Sequence, residues 1–325
     1  MPHVSTPVPS AAAQVLPSPE VADAVRAGAP VVALESTLLA HGLPAPVGRS
    51  AADALEAAVR AHGAVPATVA VLDGAARIGL DAAGLDRVCA GGMAKLSARD
   101  LGVAAGLGID GATTVAATAA LAAAAGVTLF ATGGLGGVHR RIGCGPEHRP
   151  GDARDSWDVS ADLAALARLG VLVVCSGVKS ILDVGATLEV LETHSVPVLG
   201  YGTDAFPGFY RRDSGFPAPW RVDTPAQAAA AWRAHRALGA VSGMVLAQPV
   251  PAEAELDAAL HDRLLDEGLA LVAAGDVRGK DVTPVLLEHF HTGSAGASLV
   301  TNLALVRGNA ELAARVAVAL AGGGK

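Results

Sequence analysis

The stretch "VLVVCSGVKSILD", residues 171–183, decides how the rest of the chain is read. Val171 to Cys175 is apolar throughout and rich in valine, as a strand buried on both faces is. Such strands belong to parallel sheets with helices on each side. Ser176 and Gly177 permit a tight exit. Ser180 and Asp183 then make an S-x-x-D capping pattern, which predicts a helix with Ser180 as its N-cap. Lys179 stands immediately before that helix. The dipole of a helix N-terminus and burial at a strand end both disfavour an ammonium ion there, and a neutral lysine is a nucleophile that forms imines with carbonyls. An ordinary surface lysine is the alternative reading of Lys179 taken alone.

The same alternation runs outward in both directions. Ser18, Pro19 and Gly28 mark a short helix by its N-cap, N1 and C′ residues. Strands are predicted at 31–36, 67–72, 127–131, 196–201 and 241–247. Helices are predicted at 47–62, ended by Gly63, and at 111–126, 225–238, 252–273 and 296–321. Short apolar runs alternating with alanine-rich helices predict a single-domain three-layer α/β/α sandwich with a mixed, largely parallel sheet. Residues 1–17, rich in Pro, Ser and Ala, read as a flexible tail, and 18–325 as one catalytic domain. The polar segment 140–158 is long for a loop in a compact domain, a feature of functional or disordered segments.

Composition narrows the function. The chain has 325 residues, 51% apolar but only 3% aromatic, so its core is built from Ala, Val and Leu. The net charge of −7 argues against a nucleic-acid surface. Cys89, Cys144 and Cys175 have no metal-ligand spacing and suit a reducing compartment. No apolar run is long and clean enough to span a bilayer, and the first 17 residues do not read as a secretory signal. A soluble cytoplasmic protein without membrane or nucleic-acid partners is expected.

Ligands of open α/β sheets bind beyond the carboxyl ends of the strands. Glu35 ends the strand at 31–36 in an apolar neighbourhood, where a carboxyl can act as an acid/base group, or else as a salt-bridged or capping glutamate. "TGGLGGVHRR" follows the strand at 127–131. Its glycines could turn backbone N–H groups onto a phosphate, with Thr132, His139 and Arg140 nearby, or could simply give a tight exit. "DVSAD" places Asp158, Ser160 and Asp162 at alternate positions, suited to Mg²⁺ or Mn²⁺ or to an N-cap run. Lys95 and Arg99 are candidate cations in "AKLSARDL". Lys280, Thr283 and Asn302 are weaker candidates.

These blocks, with "VVALESTLLAHGLP", "GATTVAATAALAAAAGVTLFATGGLGGVHR", "VVCSGVKSILDVGATLEVLET" and "VPVLGYGTDAFPGFY", cover nearly the whole chain in order. The sequence resembles the pseudouridine-5′-phosphate glycosidase family, also called indigoidine-synthase-A-like. The resemblance implies cleavage of the C–C glycosidic bond of pseudouridine 5′-phosphate to uracil and ribose 5-phosphate, with Mn²⁺ assistance, by a homotrimer. It implies Lys179 as covalent nucleophile, Glu35 as proton donor and Asp158 as metal ligand. Ser160, Ala161, Asp162, Lys95 and Val115 would contact substrate, as would Asn302 near the uracil. Thr132 and His139 fall on the glycine-loop block expected to hold phosphate. The chain departs from the family pattern in a longer 140–158 connection, in "TPVLL" for "TPFLL", and in "HTGSAGASL" for "LTGGxSL". Two other functions remain open to the same residues: a Schiff-base lyase or aldolase on another sugar phosphate, and a non-catalytic phosphosugar-binding regulator. Release of uracil discriminates between them.

Overall fold

The computed structural model describes residues 14–43, 45–140, 158–275, 277 and 282–323. The strands among them are β1 Val15–Pro17, β2 Val31–Leu34, β3 Val65–Leu72, β4 Ala75–Ile78, β5 Ala94–Leu96, β6 Gly111–Thr113, β7 Leu129–Ala131, β8 Val138–His139, β9 Leu172–Cys175, β10 Leu182–Asp183, β11 Val198–Tyr201, β12 Trp220–Val222 and β13 Met244–Ala247. The helices are α1 Pro19–Arg26, α2 Thr37–His41, α3 Ala45–Ala61, α4 Ala82–Cys89, α5 Leu101–Leu107, α6 Val115–Ala124, α7 Ala161–Leu166, α8 Val184–Thr193, α9 Pro225–Ala237, α10 Ala258–Ala274, α11 Val282–Gly293 and α12 Ala297–Gly322.

One sheet runs β1-β4-β3-β2-β7-β9-β13-β11-β12, with β6 joined to β3 and β5 to β6. Only the β3–β4 and β3–β6 pairings of this sheet are antiparallel. The central strands β2, β7, β9 and β13 are short because both faces are covered and every residue is buried. Helix α12 packs on β2, β7 and β9 beside α3 and α9, while α6 packs on β2, β3 and β4 beside α7. The expected three-layer α/β/α sandwich with a mixed, largely parallel sheet is therefore the fold. Among the described residues no helix is long and apolar enough to cross a membrane.

Three local expectations are corrected. The tail does not extend to residue 17: β1 pairs in parallel with β4, Val15 against Ala76 and Pro17 against Ile78. Proline is tolerated there because the strand lies at the sheet edge. The predicted helix 111–126 begins as strand β6 and becomes helical only at Val115, since Gly111 and Ala112 are drawn into antiparallel pairing with Val71 and Ala70. The span 252–273 is a short 3₁₀ turn at Ala252–Ala254 followed by α10. Most of the 140–158 segment, Cys144 and Lys280 lie outside the described residues.

Truncation tests the β1 edge. Removing residues 1–13 should leave thermal stability unchanged. Removing 1–17 also takes away the β1–β4 pairing and the bond from Ala76 N to Gln14 O at 3.1 Å. At about 0.5–1.5 kcal/mol per net hydrogen bond, that deletion should lower Tm by several degrees. Equal Tm for the two truncations would mean that the strand contributes nothing.

Candidate active site

Strand order places β2 between β3, which continues the sheet one way, and β7, which continues it the other. Such a reversal leaves a crevice at the carboxyl ends of the strands. The β2–β7 register pairs Leu34 with Ala131, so the next residues, Glu35 and Thr132, leave the sheet side by side. The Thr132 hydroxyl donates to one oxygen of the Glu35 carboxylate and the Thr37 hydroxyl to the other. Thr132 is fully buried. It stands behind Glu35 rather than in the cavity wall, which differs from its expected place beside a phosphate.

A cavity of about 790 Å³ opens over these strand ends. Glu35, Lys95, Val115, His139, Asp158 and Lys179 line it, and so do Ser160, Ala161, Asp162 and Asn302. Thus residues from seven separate stretches of sequence, Val115 and Ala161 expected from the resemblance alone, meet in one place. Leu38, His41 and Leu43 of the α2 region, Arg99, Phe209 and Tyr210 complete much of the wall, as do Thr283, Glu288 and His291 of α11. Several of these were not expected from sequence. They lie on elements whose patterns are explained by helix burial or by turns.

The setting of Lys179 differs from its sequence reading. The helix begins not after Ser180 but at Val184, with Asp183 as N-cap accepting from Ala186 N at 2.9 Å. The Ser180 hydroxyl is buried and has no hydrogen-bond partner among the described residues. Leu182 and Asp183 are instead held by β8, opposite His139 and Val138. The helix dipole consequently does not act at Lys179. What fixes the residue is a ladder to the glycine loop: Leu135 N donates to Gly177 O at 2.9 Å, and Lys179 N donates to Leu135 O at 3.1 Å. Gly177 has φ +78°, and a Cβ there would overlap the Pro207 carbonyl. Any larger residue would therefore push the lysine loop off the 207–209 wall.

The glycine loop is likewise not an open nest. Gly136 N donates to Asp162 Oδ2 at 2.8 Å, while Ala116 N donates to Asp162 Oδ1 at 3.0 Å. Asp162, only 6% exposed, so joins the loop to the start of α6, where a helix N-terminus favours an anion. Val138 N is taken by Thr187 Oγ1 at 2.9 Å. A carboxylate already seated on the loop disfavours a phosphate there, and a Cβ on Gly136 would overlap Ser160 and Asp162. The loop serves close packing.

The DVSAD run is divided in the same way. Asp162 is committed to two backbone N–H groups, and Ser160 caps α7 by accepting from Asp162 N at 3.2 Å. Each Asp162 oxygen thus accepts one backbone N–H, which ties that carboxylate to the loop and to α6. Asp158 remains on the cavity wall, with His139 Nδ1 at 3.6 Å from Oδ2. Among the described residues no cluster of three or more His, Cys, Asp or Glu is present. One carboxylate with water in the other positions is a donor set that Mg²⁺ or Mn²⁺ accepts.

Burial holds the His139 imidazole below the usual histidine range, Lys179 and Lys95 act in the same direction, and Asp158 opposes them. Burial, then Lys95, lowers His41. Cys175, at the end of β9, has its thiol pushed up to about 12 by burial and belongs to the core rather than to the chemistry.

A sequence model of one family, described as indigoidine synthase A like protein, matches residues 20–319. The chain belongs to the indigoidine synthase A-like family. Members similar to it include the pseudouridine-5′-phosphate glycosidases of Salinispora tropica, 55% identical over 93% of this chain and 90% of the relative, and of Herpetosiphon aurantiacus, 52% identical over 93% and 97%. Two solved structures share the fold. The prealnumycin C-glycosynthase AlnA, in complex with ribulose 5-phosphate, is 35% identical with a TM-score of 0.84 over 94% of this chain and 96% of that one. The indigoidine synthase A-like protein of Thermotoga maritima is 32% identical with a TM-score of 0.83 over 95% and 97%.

Two predictions follow from the geometry of this family member. Thr132→Val keeps the packing but removes a donor to Glu35. A hydrogen bond to a charged group is worth about 1.5–3 kcal/mol, so turnover should fall about 10–100-fold with little change in Tm; wild-type turnover would show that the bond is idle. The second concerns pH. His261, 6% exposed behind Tyr210 and Phe290, is lowered by burial first, with Asp262 opposing. The unfolded chain protonates its histidines near pH ~6.5, where folded His41, His139 and His261 stay neutral. Stability is therefore fully present above that value and is lost as pH falls below it. Urea melts at pH 7.5 and 5.5 should show the loss, and His261→Gln should narrow it; an unchanged gap would clear His261.

Proposed function

We propose that the protein is a pseudouridine-5′-phosphate glycosidase. The observation that carries this reading is the convergence of Glu35 and Lys179, from the ends of different strands, in one cavity whose wall also holds Lys95 and His139. The names of the relatives support it, and so does the fold shared with a C-glycosynthase whose structure holds a pentose phosphate.

A C-glycoside lacks the heteroatom leaving group that ordinary glycosidases protonate. The reaction begins with opening of the ribose ring, the electron-rich uracil pushing out the ring oxygen, which takes a proton. The Lys179 amine, in its neutral form, adds at C1′. Glu35 takes the proton that the lysine nitrogen sheds after addition and delivers it to C5 of the uracil. The C1′–C5 bond breaks, its electrons restore the uracil ring, and the lysine nitrogen forms a C=N bond to C1′. Water hydrolyses this imine, giving ribose 5-phosphate and free lysine. The net change is addition of one water across the C–C bond. Thr132 and Thr37 hold the Glu35 carboxylate in place. Ser160, Ala161 and Asn302 contact substrate. Phosphate is held at the cationic side, by Lys95 with His139 and His41, in place of the glycine loop. A divalent cation such as Mn²⁺, held by Asp158, would order water and sugar hydroxyls. A homotrimer and a cytoplasmic location complete the reading; light scattering tests the first and fractionation the second.

The deciding experiment is borohydride trapping. With ribose 5-phosphate and borohydride, the peptide "SGVKSILD" should carry a reduced sugar adduct by mass spectrometry. Lys179→Ala and Lys179→Arg should give neither adduct nor uracil, since a guanidinium does not attack. Labelling at Lys95 instead, with Lys179→Ala still active, would defeat the mechanism. EDTA should abolish turnover and Asp158→Asn should weaken Mn²⁺ binding measured by calorimetry; full activity after thorough chelation would remove the metal from the reaction.

A further inference from the structure

Asn309 lies in α12 among apolar neighbours and is 0% exposed. A buried amide is costly unless its hydrogen bonds are made. Here they are made to the site. Its Nδ2 donates to Thr132 O at 2.9 Å, to Ser176 Oγ at 3.1 Å and more weakly to Gly133 O at 3.4 Å. Ser176 Oγ also lies 3.4 Å from its Oδ1. Two of these partners are backbone carbonyls, which only accept, so they fix which end of the amide faces the strands.

The partners belong to the two strand exits that carry the chemistry. Thr132 and Gly133 leave β7, and the Thr132 hydroxyl holds Glu35. Ser176 leaves β9, two residues before Val178, which pairs with Leu135 of the glycine loop, and three before Lys179. Ser176 N also donates to Gly133 O at 2.9 Å, and Phe209 N donates to Ser176 O at 2.8 Å. Asn309 thus bonds to both exits at once from further along the helix that brings Asn302 to the cavity, and is itself absent from the lining.

We infer that Asn309 is a positioning residue that sets the separation of Glu35 from Lys179 by clamping the carboxyl ends of β7 and β9. It touches neither substrate nor the reacting side chains. It acts through Thr132 on one and through Ser176 on the other. This rests on the reading of Glu35 and Lys179 as the reacting pair.

The test uses single turnovers of pseudouridine 5′-phosphate with enzyme in excess, on Asn309→Leu and on Ser176→Ala, which removes one arm of the clamp at smaller cost to folding. With folded enzyme saturating, the rate constant is independent of the folded fraction, which circular dichroism reads separately. A misplacement of about 1 Å between reacting groups costs about 100-fold, so Asn309→Leu should slow the rate constant by about that factor while KM changes little. Ser176→Ala should slow it in the same sense but less. Asn309→Leu combined with Thr132→Val should be slower than either single variant but by less than the product of the two effects, since both disturb the setting of Glu35 and only Asn309 also acts on the Lys179 exit. Rate constants within about twofold of wild type, with only the folded fraction or Tm reduced, would overturn the inference, and where Asn309→Leu does not fold, Ser176→Ala decides. If wild-type enzyme releases no uracil, the functional reading fails by itself. The clamp is then judged by the crystal structure of Ser176→Ala: a displaced Lys179 loop supports it, and an unmoved one overturns it.

Discussion

The hydrogen bond from Thr132 to Glu35 exists because two parallel strands stop in register. β2 and β7 end together at Leu34 and Ala131, and the chain then turns away on opposite sides of the sheet. At that reversal no further strand covers the exits, so the first residue of each exit is free to face a cavity. One exit supplies a carboxylate and the other a hydroxyl that holds it. The neighbouring strand β9 ends beside β7, with Ala131 opposite Val174, and its exit carries the lysine. The reactive pair is thus a product of sheet order and register more than of any local motif.

The loops leaving those strands hold one another rather than resting on the body of the protein. The glycine loop gives the lysine loop a two-bond ladder through Leu135. Asp162 in turn holds the glycine loop through Gly136 and the start of α6 through Ala116. Thr187 of α8 takes Val138 N and bonds back to Asp183 O at 2.6 Å. Each buried N–H must find an acceptor once it leaves the sheet. Here the acceptors are side chains from helices that follow much later in sequence. A substitution in one loop is consequently felt in the next, and the small size of the glycines is what lets the backbones approach.

The sheet was legible in sequence where its strands are continuous apolar runs, as at Leu172–Cys175 and Met244–Ala247, because burial on both faces leaves an unambiguous pattern. β1 and β6 were not. Each is three residues long, and β6 adjoins a helix without a break in composition. Lys179 and Glu35 could be picked out because a charged residue beyond a buried strand is conspicuous, and Asp158 because of the alternation in its DVSAD run. The cap was misplaced by three residues for a clear reason: Ser180 and Asp183 are both good N-caps, and only the pairing of Leu182 and Asp183 with β8 selects the second. Asn309 left no usable signal, since its partners stand 133 to 177 residues away in the chain. Spacing reveals where the glycine N–H groups can converge, but not that a carboxylate, Asp162, already claims the one at Gly136.

With the glycine loop withdrawn, charge balance still explains why the proposed substrate carries a phosphate. The cavity wall brings together Lys95, Lys179, Arg99, His41 and His139, against Glu35, Asp158, Asp162 and Glu288. Glu35 and Asp162 are engaged by hydroxyl and N–H donors, and Glu288 lies on α11, so Asp158 stands as the acidic group that opposes the lowering of His139. The two lysines act the other way on that imidazole, and Lys95 does so on His41 as well. Burial, and after it the lysines, lower both histidines, and a doubly charged phosphomonoester arriving on this side would act against that lowering. The histidines can then take up protons and hold the anion with charge-assisted bonds. An uncharged nucleoside brings no such compensation, which leaves the cationic side of the cavity unsatisfied and the sugar without its anchor.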